Sequence, residues 1–314
     1  MMTETGTGKY EQLLLRCRTL PPIATAVAHP CEATALAGAV DAGTKGLILP
    51  ILVGPIAKMR EIASANRIDL AGVRLVDASH SHASAAAAVA LVRSGEAEVL
   101  MKGSLHTDEL LGAVVARETG LRTGRRVSHA FLMDVPTYHT VLVVTDAAIN
   151  IAPALEDKVD ICQNAIDLAI SLGVSRPKVA VLAAVETVNS KMSATLDAAA
   201  LCKMAERGQI RGGILDGPLA FDNAISTQAA EMKGIKSAVA GDPDILIAPD
   251  LEAGNILAKQ LTFLANADSA GMVLGAKVPV ILTSRADSVR SRIASCGVAK
   301  LVAYARRAKP LGVN

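Results

Sequence analysis

The stretch IATAVAHPCEATALAGAVDAGTKGLILPILV, residues 23–53, decides the predicted fold. Its two apolar runs, Ile23–Ala28 and Gly46–Val53, predict β-strands, and the Ala-rich segment Pro30–Ala42 between them predicts a helix. A strand, a helix and a second strand in succession favour parallel strands in one sheet that is covered by helices. This stretch therefore predicts an α/β fold.

The alternation of short apolar runs and longer helical segments continues to residue 118. It predicts strands at Val73–Val76 and Glu98–Met101, an Ala-rich helix that ends at Ser94, and helices at Ile56–Asn66 and Leu105–Glu118. Repeated units of this kind predict a mainly parallel sheet with helices on both faces, which is a three-layer α/β/α domain.

Around Gly120–Arg126 the pattern breaks into a basic loop, and a second series of elements begins. Val127–Met133 and Thr140–Thr145 are adjacent apolar runs with Pro136 in the turn between them, which predicts an antiparallel pair. The later predicted helices are Leu155–Leu172, Lys191–Arg207, Leu251–Ala265 and Ala286–Ala305, and the later strands are Lys178–Ala183, Gly212–Leu215, Ile245–Ala248, Met272–Leu274 and Pro279–Leu282. On pattern alone a domain boundary lies near residue 126, and the last helix fits either half.

The composition fits two domains whose cores consist of small apolar side chains. The chain has 314 residues, of which 51% are hydrophobic and only 2% aromatic, with no tryptophan. A chain of this length usually divides into two domains. A core of Ala, Val, Leu and Ile suits parallel strands under Ala-rich helices.

Charge and cysteine content argue against several classes of protein. The formal charge of +2 gives no basic field for nucleic acid. Polar residues interrupt every apolar run before the ~18–20 residues that a membrane-spanning helix needs. The five cysteines are scattered without a CxxC pair, and the polar first nine residues predict no signal peptide. We therefore expect a cytoplasmic protein with reduced thiols that binds neither nucleic acid nor membrane.

Two loops early in the chain carry residues suited to anionic ligands. Lys102-Gly103-Ser104 follows a predicted strand and precedes a predicted helix, for which Thr107 is the candidate cap. Gly103 allows close approach of a backbone, but an ordinary turn with a surface lysine explains the pattern equally well. A basic loop before Ser128-His129 either clamps phosphate groups or is simply solvated; its arginines are Arg122, Arg125 and Arg126.

Three later positions combine suitable chemistry with an ordinary structural explanation. Asp146 and Asn150 follow a strand, where both residue types also form common turns. Gly254-Asn255 lies inside a predicted helix that both residues disfavour, and such a violation indicates a functional reason. Ser284-Arg285 opens the last helix, where the serine caps the helix or the pair faces a phosphate or thiolate. The six histidines show no metal-ligand spacing with a partner acid, so we expect no metal site.

Six segments carry a resemblance to a known family when they are taken in order. They are Leu100–Gly103, Ser128-His129, Asp146–Asn150 with Pro153, Asp216–Asp222, Ile247–Asn255 with Lys259, and Pro279–Ser288. Together they resemble the phosphate acetyltransferase and phosphate butyryltransferase family, and the resemblance covers nearly the whole chain.

The resemblance implies a phosphate acyltransferase, in which acyl-CoA and phosphate give an acyl phosphate and free CoA, with a short acyl group from acetyl to butyryl. It implies two α/β domains with a cleft between them, a homodimer, and no metal or other cofactor, since coenzyme A is a substrate. The resemblance also implies that the last helix belongs to the first domain. Domain one is then predicted as residues 1–126 plus 276–314, and domain two as 127–275.

The resemblance also implies the residues of the site. Ser284 is expected to hydrogen-bond the leaving thiolate, and Arg285 is expected to hold phosphate or the carbonyl oxygen, where it stabilises transition-state charge. The residues expected to bind CoA and phosphate are Lys102, Gly103, Ser128, His129, Asn150, Gly254, Asn255 and Lys259.

Three positions depart from the acetyl-type pattern and resemble the butyryl-type branch. Ile281-Leu282 stands where the acetyl-type pattern has Asn-Asp, and Ser291 stands where it has the acid that serves as the base. The acetyl-type pattern also has an arginine in an early motif, and the corresponding segment Thr107–Val114 contains no arginine. These departures favour the butyryl-type branch and leave the general base unassigned.

Two other functions fit a two-domain α/β chain. A decarboxylating-dehydrogenase-like enzyme shares the cleft architecture, but it needs a cluster of metal-binding aspartates, and the sequence has no dense aspartate cluster. A non-catalytic, two-lobed binding protein for small molecules is usually exported, whereas no signal peptide is expected here.

Overall fold

The structure, a computed structural model, describes residues 8–283 and 287–308. The chain divides into two compact units, one formed by residues 1–125 with 270–314 and the other by residues 126–269. The domain boundaries expected from the sequence, at residues 126 and 275, stay a prediction. Each unit consists of a sheet with helices, so the predicted α/β class is confirmed.

Strands and helices alternate in the first part of the chain. The strands are β1 (Ile23–Ala28), β2 (Ile48–Gly54), β3 (Arg74–Asp77) and β4 (Val99–Lys102), and the helices are α1 (Lys9–Arg18), α2 (Ala33–Thr44), α3 (Ile56–Ala65), α4 (Ser81–Arg93) and α5 (Thr107–Val115).

The second unit contains five strands and five helices among its described residues. The strands are β5 (Ser128–Asp134), β6 (Leu142–Thr145), β7 (Lys178–Leu182), β8 (Ile214–Leu219) and β9 (Ile245–Ile247), and the helices are α6 (Leu155–Ser171), α7 (Ser193–Glu206), α8 (Phe221–Ile225), α9 (Thr227–Met232) and α10 (Leu251–Leu264). The last part of the chain forms β10 (Asp268–Leu274), β11 (Val280–Ile281) and α11 (Val289–Ala308).

The strand order of the first unit differs from the order along the chain. It is β3-β2-β1-β4-β11-β10, with β1 to β4 and β11 parallel and β10 antiparallel to β11. The carboxyl ends of four consecutive strands, β1 to β4, therefore meet at one edge of the sheet. In α/β proteins, ligands bind at this edge.

The second unit has the strand order β5-β6-β9-β7-β8. β5 and β6 pair antiparallel, with Ala130 opposite Thr145, which confirms the predicted antiparallel pair. The other pairs of this unit are parallel. The central strands β6 and β9 are buried along their whole length, as expected for strands that helices cover on both faces.

Small side chains allow the helices of the first unit to lie close to the sheet. β1 has five of its six residues buried, and α4 buries Ala85, Ala88 and Val89. The absence of large aromatic side chains in these elements makes this close packing possible. None of the described helices is both long and apolar enough to cross a membrane.

The structure differs from the sequence prediction at several elements. Helix α1 was not predicted, and the short helices α8 and α9 were missed. Strand β8 extends through Gly217-Pro218, a dipeptide that is disfavoured inside a strand, so its predicted end at Leu215 is wrong. The predicted cap of α5 is also wrong. Thr107 is the first helical residue, and His106 occupies the cap position, where its side chain makes no capping hydrogen bond.

Candidate active site

A single carboxylate organises the loop that follows β6. Asp146 is buried, and its Oδ1 accepts hydrogen bonds from the backbone N–H groups of Ala148 at 2.9 Å and Ile149 at 3.0 Å. Its Oδ2 accepts a bond of 2.5 Å from the side-chain amide of Asn150. Because several donors converge on one carboxylate, the loop 146–150 is held in one conformation.

Both the nitrogen and the oxygen of the Asn150 side-chain amide form hydrogen bonds with residues of the second unit. Its Nδ2 donates to Asp146 and also, at 3.0 Å, to the carbonyl oxygen of Val127, while its Oδ1 accepts from Arg126 Nε at 2.8 Å. Arg126 also forms an ion pair with Asp157, at 3.1 Å between Nη1 and Oδ1. Asn150 therefore shapes the loop, and the guanidinium of Arg126 is engaged by neighbours in the same unit.

Ser128 and His129 begin β5, beside the Asp146 loop. Ser128 is fully buried, and its hydroxyl oxygen accepts a hydrogen bond of 2.9 Å from Asn164 Nδ2. Since Ala130 lies opposite Thr145, the antiparallel register brings His129 opposite Asp146. His129 is 1% exposed, and its Nδ1 has no hydrogen-bond partner among the described residues.

Burial also determines the charge of His129. Desolvation lowers its pKa to about 4, although the Asp146 carboxylate acts in the opposite direction. The imidazole is therefore neutral at neutral pH. In this state it neither repels a cation nor attracts an anion by charge.

The start of α10 packs directly on the Asp146 loop. A Cβ at Gly254 would lie 2.2 Å from the backbone oxygen of Asp146, so only glycine allows this close approach. Asn255 Nδ2 donates to the carbonyl oxygen of Ala147 at 2.9 Å. The Asp250 side chain caps the helix by accepting from the Ala253 N–H at 2.8 Å. The unfavourable Gly-Asn pair thus has a structural cause, which is the contact between helix and loop.

The structure brings together five of the predicted substrate-binding residues in the second unit. They belong to the Asp146 loop or lie beside it, and they are Ser128, His129, Asn150, Gly254 and Asn255. Lys259 lies farther along α10 with an exposed side chain, and it is not part of this cluster. Asp146 was present in the sequence pattern but absent from the predicted site. An aspartate immediately after a buried strand was the available signal.

Lys102 is the last residue of β4 in the first unit, and Gly103 follows it. Lys102 is 6% exposed, and its Nζ donates to the carbonyl oxygen of Gly103 at 3.3 Å. A Cβ at Gly103 would lie 2.3 Å from the backbone oxygen of Ala28. The glycine is therefore required where the β4 turn crosses the end of β1. Ser104 Oγ ties the same two loops together, because it donates to the carbonyl oxygen of His29 at 2.8 Å.

The predicted catalytic pair, Ser284 and Arg285, lies outside the described residues. After the pair, Ser291 is buried on α11, and its Oγ lies 3.1 Å from Ser288 Oγ. Within residues 8–283 and 287–308, no group of three or more His, Cys, Asp or Glu side chains is placed to hold a metal ion.

Comparison with known proteins decides the family. The family model described as phosphate acetyl/butaryl transferase matches residues 82–299. The chain is 62% identical over 301 residues to a phosphate acetyltransferase of Rhizobium meliloti. The aligned region covers 96% of this chain and 95% of the relative. It is 41% identical over 294 residues to a phosphate butyryltransferase of Clostridium beijerinckii, which covers 94% and 97%.

A solved structure agrees with this match. The structure of a branched-chain phosphotransacylase from Enterococcus faecalis V583 superimposes with a TM-score of 0.78 at 30% identity, covering 90% of this chain and 99% of that chain. The chain belongs to the phosphate acetyl/butyryl transferase family.

Membership of the phosphate acetyl/butyryl transferase family confirms the resemblance drawn from the six sequence segments. The chain is accordingly an acyltransferase. The family match favours this function over a decarboxylating dehydrogenase and over a non-catalytic binding protein.

Proposed function

We propose that this chain catalyses the reversible transfer of a short acyl group, acetyl to butyryl, between coenzyme A and inorganic phosphate. The observation that carries the proposal is the 62% identity over 301 residues with a phosphate acetyltransferase. Both substrates are anions, and the carboxyl edges of the two sheets offer helix N-termini to such groups.

The chemistry assigns simple roles to the predicted residues. A phosphate oxygen attacks the thioester carbonyl carbon, the C–S bond breaks, and CoA leaves as a thiolate that takes up a proton. Ser284 donates a hydrogen bond to the departing sulfur, and Arg285 stabilises the charge on the carbonyl oxygen or the phosphate. A thiolate is a good leaving group, so positioning of the two substrates contributes much of the rate enhancement.

The predicted binding residues have two kinds of role in this proposal. Lys102 supplies a largely buried ammonium, and attraction to a phosphate is stronger there than in open water. Ser128, His129, Asn150, Gly254 and Asn255 shape the Asp146 loop against α10 and so position groups that contact the substrate. Lys259 is exposed and can reach a substrate anion only from the surface.

A thiol-release assay tests the function directly. The purified protein is incubated with acetyl-CoA, and free thiol is measured in the presence and absence of phosphate or arsenate. We expect thiol release only when one of these oxyanions is present. Oxyanion-independent thiol release, or NAD-dependent turnover without thiol release, would contradict the proposal.

The same assay determines the preferred acyl group. The departures at Ile281-Leu282 and Ser291 predict butyryl-type specificity, whereas the relative with 62% identity carries an acetyltransferase name. We expect turnover with acetyl-, propionyl- and butyryl-CoA, and a kcat/KM for butyryl-CoA at least equal to that for acetyl-CoA. A strong preference for acetyl-CoA would show that the butyryl-type prediction is wrong.

We also propose that the protein needs no cofactor besides its substrate coenzyme A, acts as a homodimer and resides in the cytoplasm. The first two properties rest on the family resemblance. The third is supported by five cysteines that form no disulfide bond in the structure: Cys17, Cys31, Cys162, Cys202 and Cys296.

A further inference from the structure

Arg292 is a buried cation close in sequence to the predicted catalytic pair, and the proposed mechanism does not use it. It lies near the start of α11 and is 4% exposed. Burial of a charge is costly, so a buried guanidinium is stable only where fixed contacts compensate for the lost water. The position of Arg292 therefore depends on neighbours that are themselves fixed in the fold.

Thr283 is one such neighbour. Arg292 Nη1 donates a hydrogen bond to Thr283 Oγ1 at 3.3 Å, and Thr283 is itself 3% exposed. Thr283 lies just after β11 and directly precedes Ser284-Arg285 in the sequence. The hydrogen bond thus joins the segment that leads into the predicted catalytic pair to the helix that follows the pair.

The stem of the Arg292 side chain packs on α2. A Cβ at Gly38 would lie 3.0 Å from Arg292 Cδ, which is tighter than ordinary van der Waals contact. Glycine is disfavoured inside a helix. At this position it leaves room for the arginine, so the packing of α2 also restricts where the guanidinium can lie.

The start of α11 and the end of β11 are both tied to β10. Ser295 Oγ on α11 accepts a hydrogen bond from the N–H group of Gly271 in β10 at 3.1 Å. The carbonyl oxygen of Gly271 accepts from the N–H group of Leu282 at 3.3 Å. Within this frame, the hydrogen bond from Arg292 reaches Thr283, which is one residue nearer to the catalytic pair.

We infer that Arg292 is a positioning residue for acyl transfer, because its guanidinium holds Thr283 and so fixes the point from which Ser284-Arg285 extends. The inference rests on the proposed function, since Arg292 acts through the predicted pair and not by contact with a substrate. A small displacement of catalytic groups lowers the rate of a reaction that depends on alignment. Other residues are expected to bind CoA and phosphate, so the contact affects kcat more than KM.

Phosphate-dependent thiol release from acetyl-CoA, measured with Arg292→Met and Thr283→Val, tests the inference. Methionine keeps an unbranched stem without the charge, and valine keeps the shape of threonine without the hydroxyl. Each variant is expected to lower kcat about tenfold and to change KM less than about twofold, since a hydrogen bond to a charged group contributes this much. Because both variants remove one hydrogen bond, the double variant is expected to lower kcat no further than Arg292→Met.

Two further variants serve as controls. Arg292→Lys keeps a cation and a donor but loses the planar fork, and its kcat is expected to stay within about threefold of the unmodified protein. Lys300→Met removes a second buried cation of α11, which is 1% exposed and donates from Nζ to the carbonyl oxygen of Gly46 at 2.9 Å. We expect it to destabilise the protein and to leave kcat unchanged, because Lys300 lies about two helical turns beyond Arg292.

Thermal unfolding of every variant sets an assay temperature at which all of them are folded. Thr283→Val exchanges a hydroxyl for a methyl group, so it keeps the test valid even where Arg292→Met is unstable. Unchanged kcat in Arg292→Met and Thr283→Val overturns the inference. An equal loss of kcat in Lys300→Met or in Arg292→Lys also overturns it, because the position or the charge of Arg292 then has no special effect.

The unmodified protein separates this inference from the proposed function. If it releases no phosphate-dependent thiol, the proposed function is wrong and the role of Arg292 is wrong with it. If it is active and the variants at Arg292 and Thr283 are equally active, only the inference is overturned. Additive losses in the double variant would likewise contradict the inference alone, because the two residues would then act separately.

Discussion

The Asp146 carboxylate shows how one residue fixes the position of several others. It holds its own loop through Ala148, Ile149 and Asn150, and that loop receives α10 at Gly254. Each hydrogen bond joins residues that are close in sequence. Together these bonds hold the loop after β6 in the conformation on which the start of α10 packs, although α10 begins more than 100 positions later. A substitution at Asp146 therefore affects residues that are distant in sequence.

Ser284 and Arg285 are the residues on which the chemistry of the proposal depends. Ser284→Ala removes a donor to the leaving sulfur, and Arg285→Ala removes a cation from the developing charge. We expect each variant to lower kcat about 100-fold, as loss of one transition-state donor does. Thiol release at saturating substrates measures this, and thermal unfolding checks that both variants remain folded.

Arg290→Ala is the matched control for the loss of charge. Its side chain is exposed on α11, where it pairs with Glu11. We expect its kcat to stay within twofold of the unmodified protein. Unchanged turnover in both Ser284→Ala and Arg285→Ala would place the site elsewhere.

His129 predicts a pH dependence of stability. Its folded-state pKa, lowered to about 4 by burial, lies below the ordinary value of 6.5, so between these values the unfolded chain binds a proton that the folded chain does not. Stability is therefore lost as pH falls from about 6.5 towards 4, by about 1 kcal/mol per pH unit from this residue. His129→Gln cannot bind that proton and is expected to show a weaker pH dependence.

Urea unfolding at pH 7, 6 and 5 measures this difference. The change of the unfolding midpoint with pH is compared among the unmodified protein, His129→Gln and the control His106→Gln, whose side chain is exposed. The control should retain the pH dependence of the unmodified protein. Identical pH dependence in all three proteins would show that His129 is not held neutral.

At the scale of elements, an ion pair joins α6 to α7. Lys158 Nζ lies 2.6 Å from Asp197 Oδ2, and the two side chains are 6% and 24% exposed. A buried ammonium that loses its partner is strongly destabilising, whereas replacement of the whole pair by apolar groups often is not. We expect Asp197→Ala to lower the free energy of unfolding by about 3 kcal/mol, and Lys158→Met with Asp197→Ala to lower it less.

The pair of Lys203 and Glu206 on α7 provides the comparison. Its side chains are 62% and 63% exposed, so solvent screens the interaction. Glu206→Ala is expected to cost less than about 1 kcal/mol. Chemical unfolding of the unmodified protein, Asp197→Ala, the double variant and Glu206→Ala measures these free energies of unfolding. A double variant as unstable as Asp197→Ala would show that the unpaired charge is not the cause.

For the whole molecule we predict a homodimer. Phe263 and Leu264 at the end of α10 are 73% and 81% exposed, and association of two chains is one way to remove such large apolar side chains from water. Light scattering during size-exclusion chromatography measures the mass in solution. We expect the mass of two chains at micromolar concentration, and the mass of one chain would contradict the prediction.

The sequence predicted much of the fold because hydrophobic periodicity is a local property. The strands β1, β2 and β4 and the antiparallel pair β5-β6 follow apolar runs whose burial needs no distant information. Helix α1 was not predicted and the end of strand β8 was predicted wrongly, because local sequence does not favour these elements. The first is largely polar, and the second contains Gly217-Pro218, so tertiary contacts override the local preference of both.

The candidate site was predicted in part. Gly254-Asn255 was identified because it violates helix preference, and the structure supplies the cause as a 2.2 Å approach to the Asp146 backbone oxygen. Asp146 was not chosen, since an aspartate in a turn is common and only the bonds to its carboxylate distinguish it.

By itself the sequence determined the α/β class, because this class depends on patterns of residues that are close along the chain. It also determined the family, because the family depends on which short motifs occur and in what order. Only the tertiary structure decided which atoms meet. The strand order β3-β2-β1-β4 brings His29, Lys58 and Glu109 to one pocket, although they are separated by up to 80 positions in the sequence. Burial then determines which polar groups there have a partner. Glu109 Oε2, for example, has none among the residues that the structure describes, and no sequence pattern predicts this.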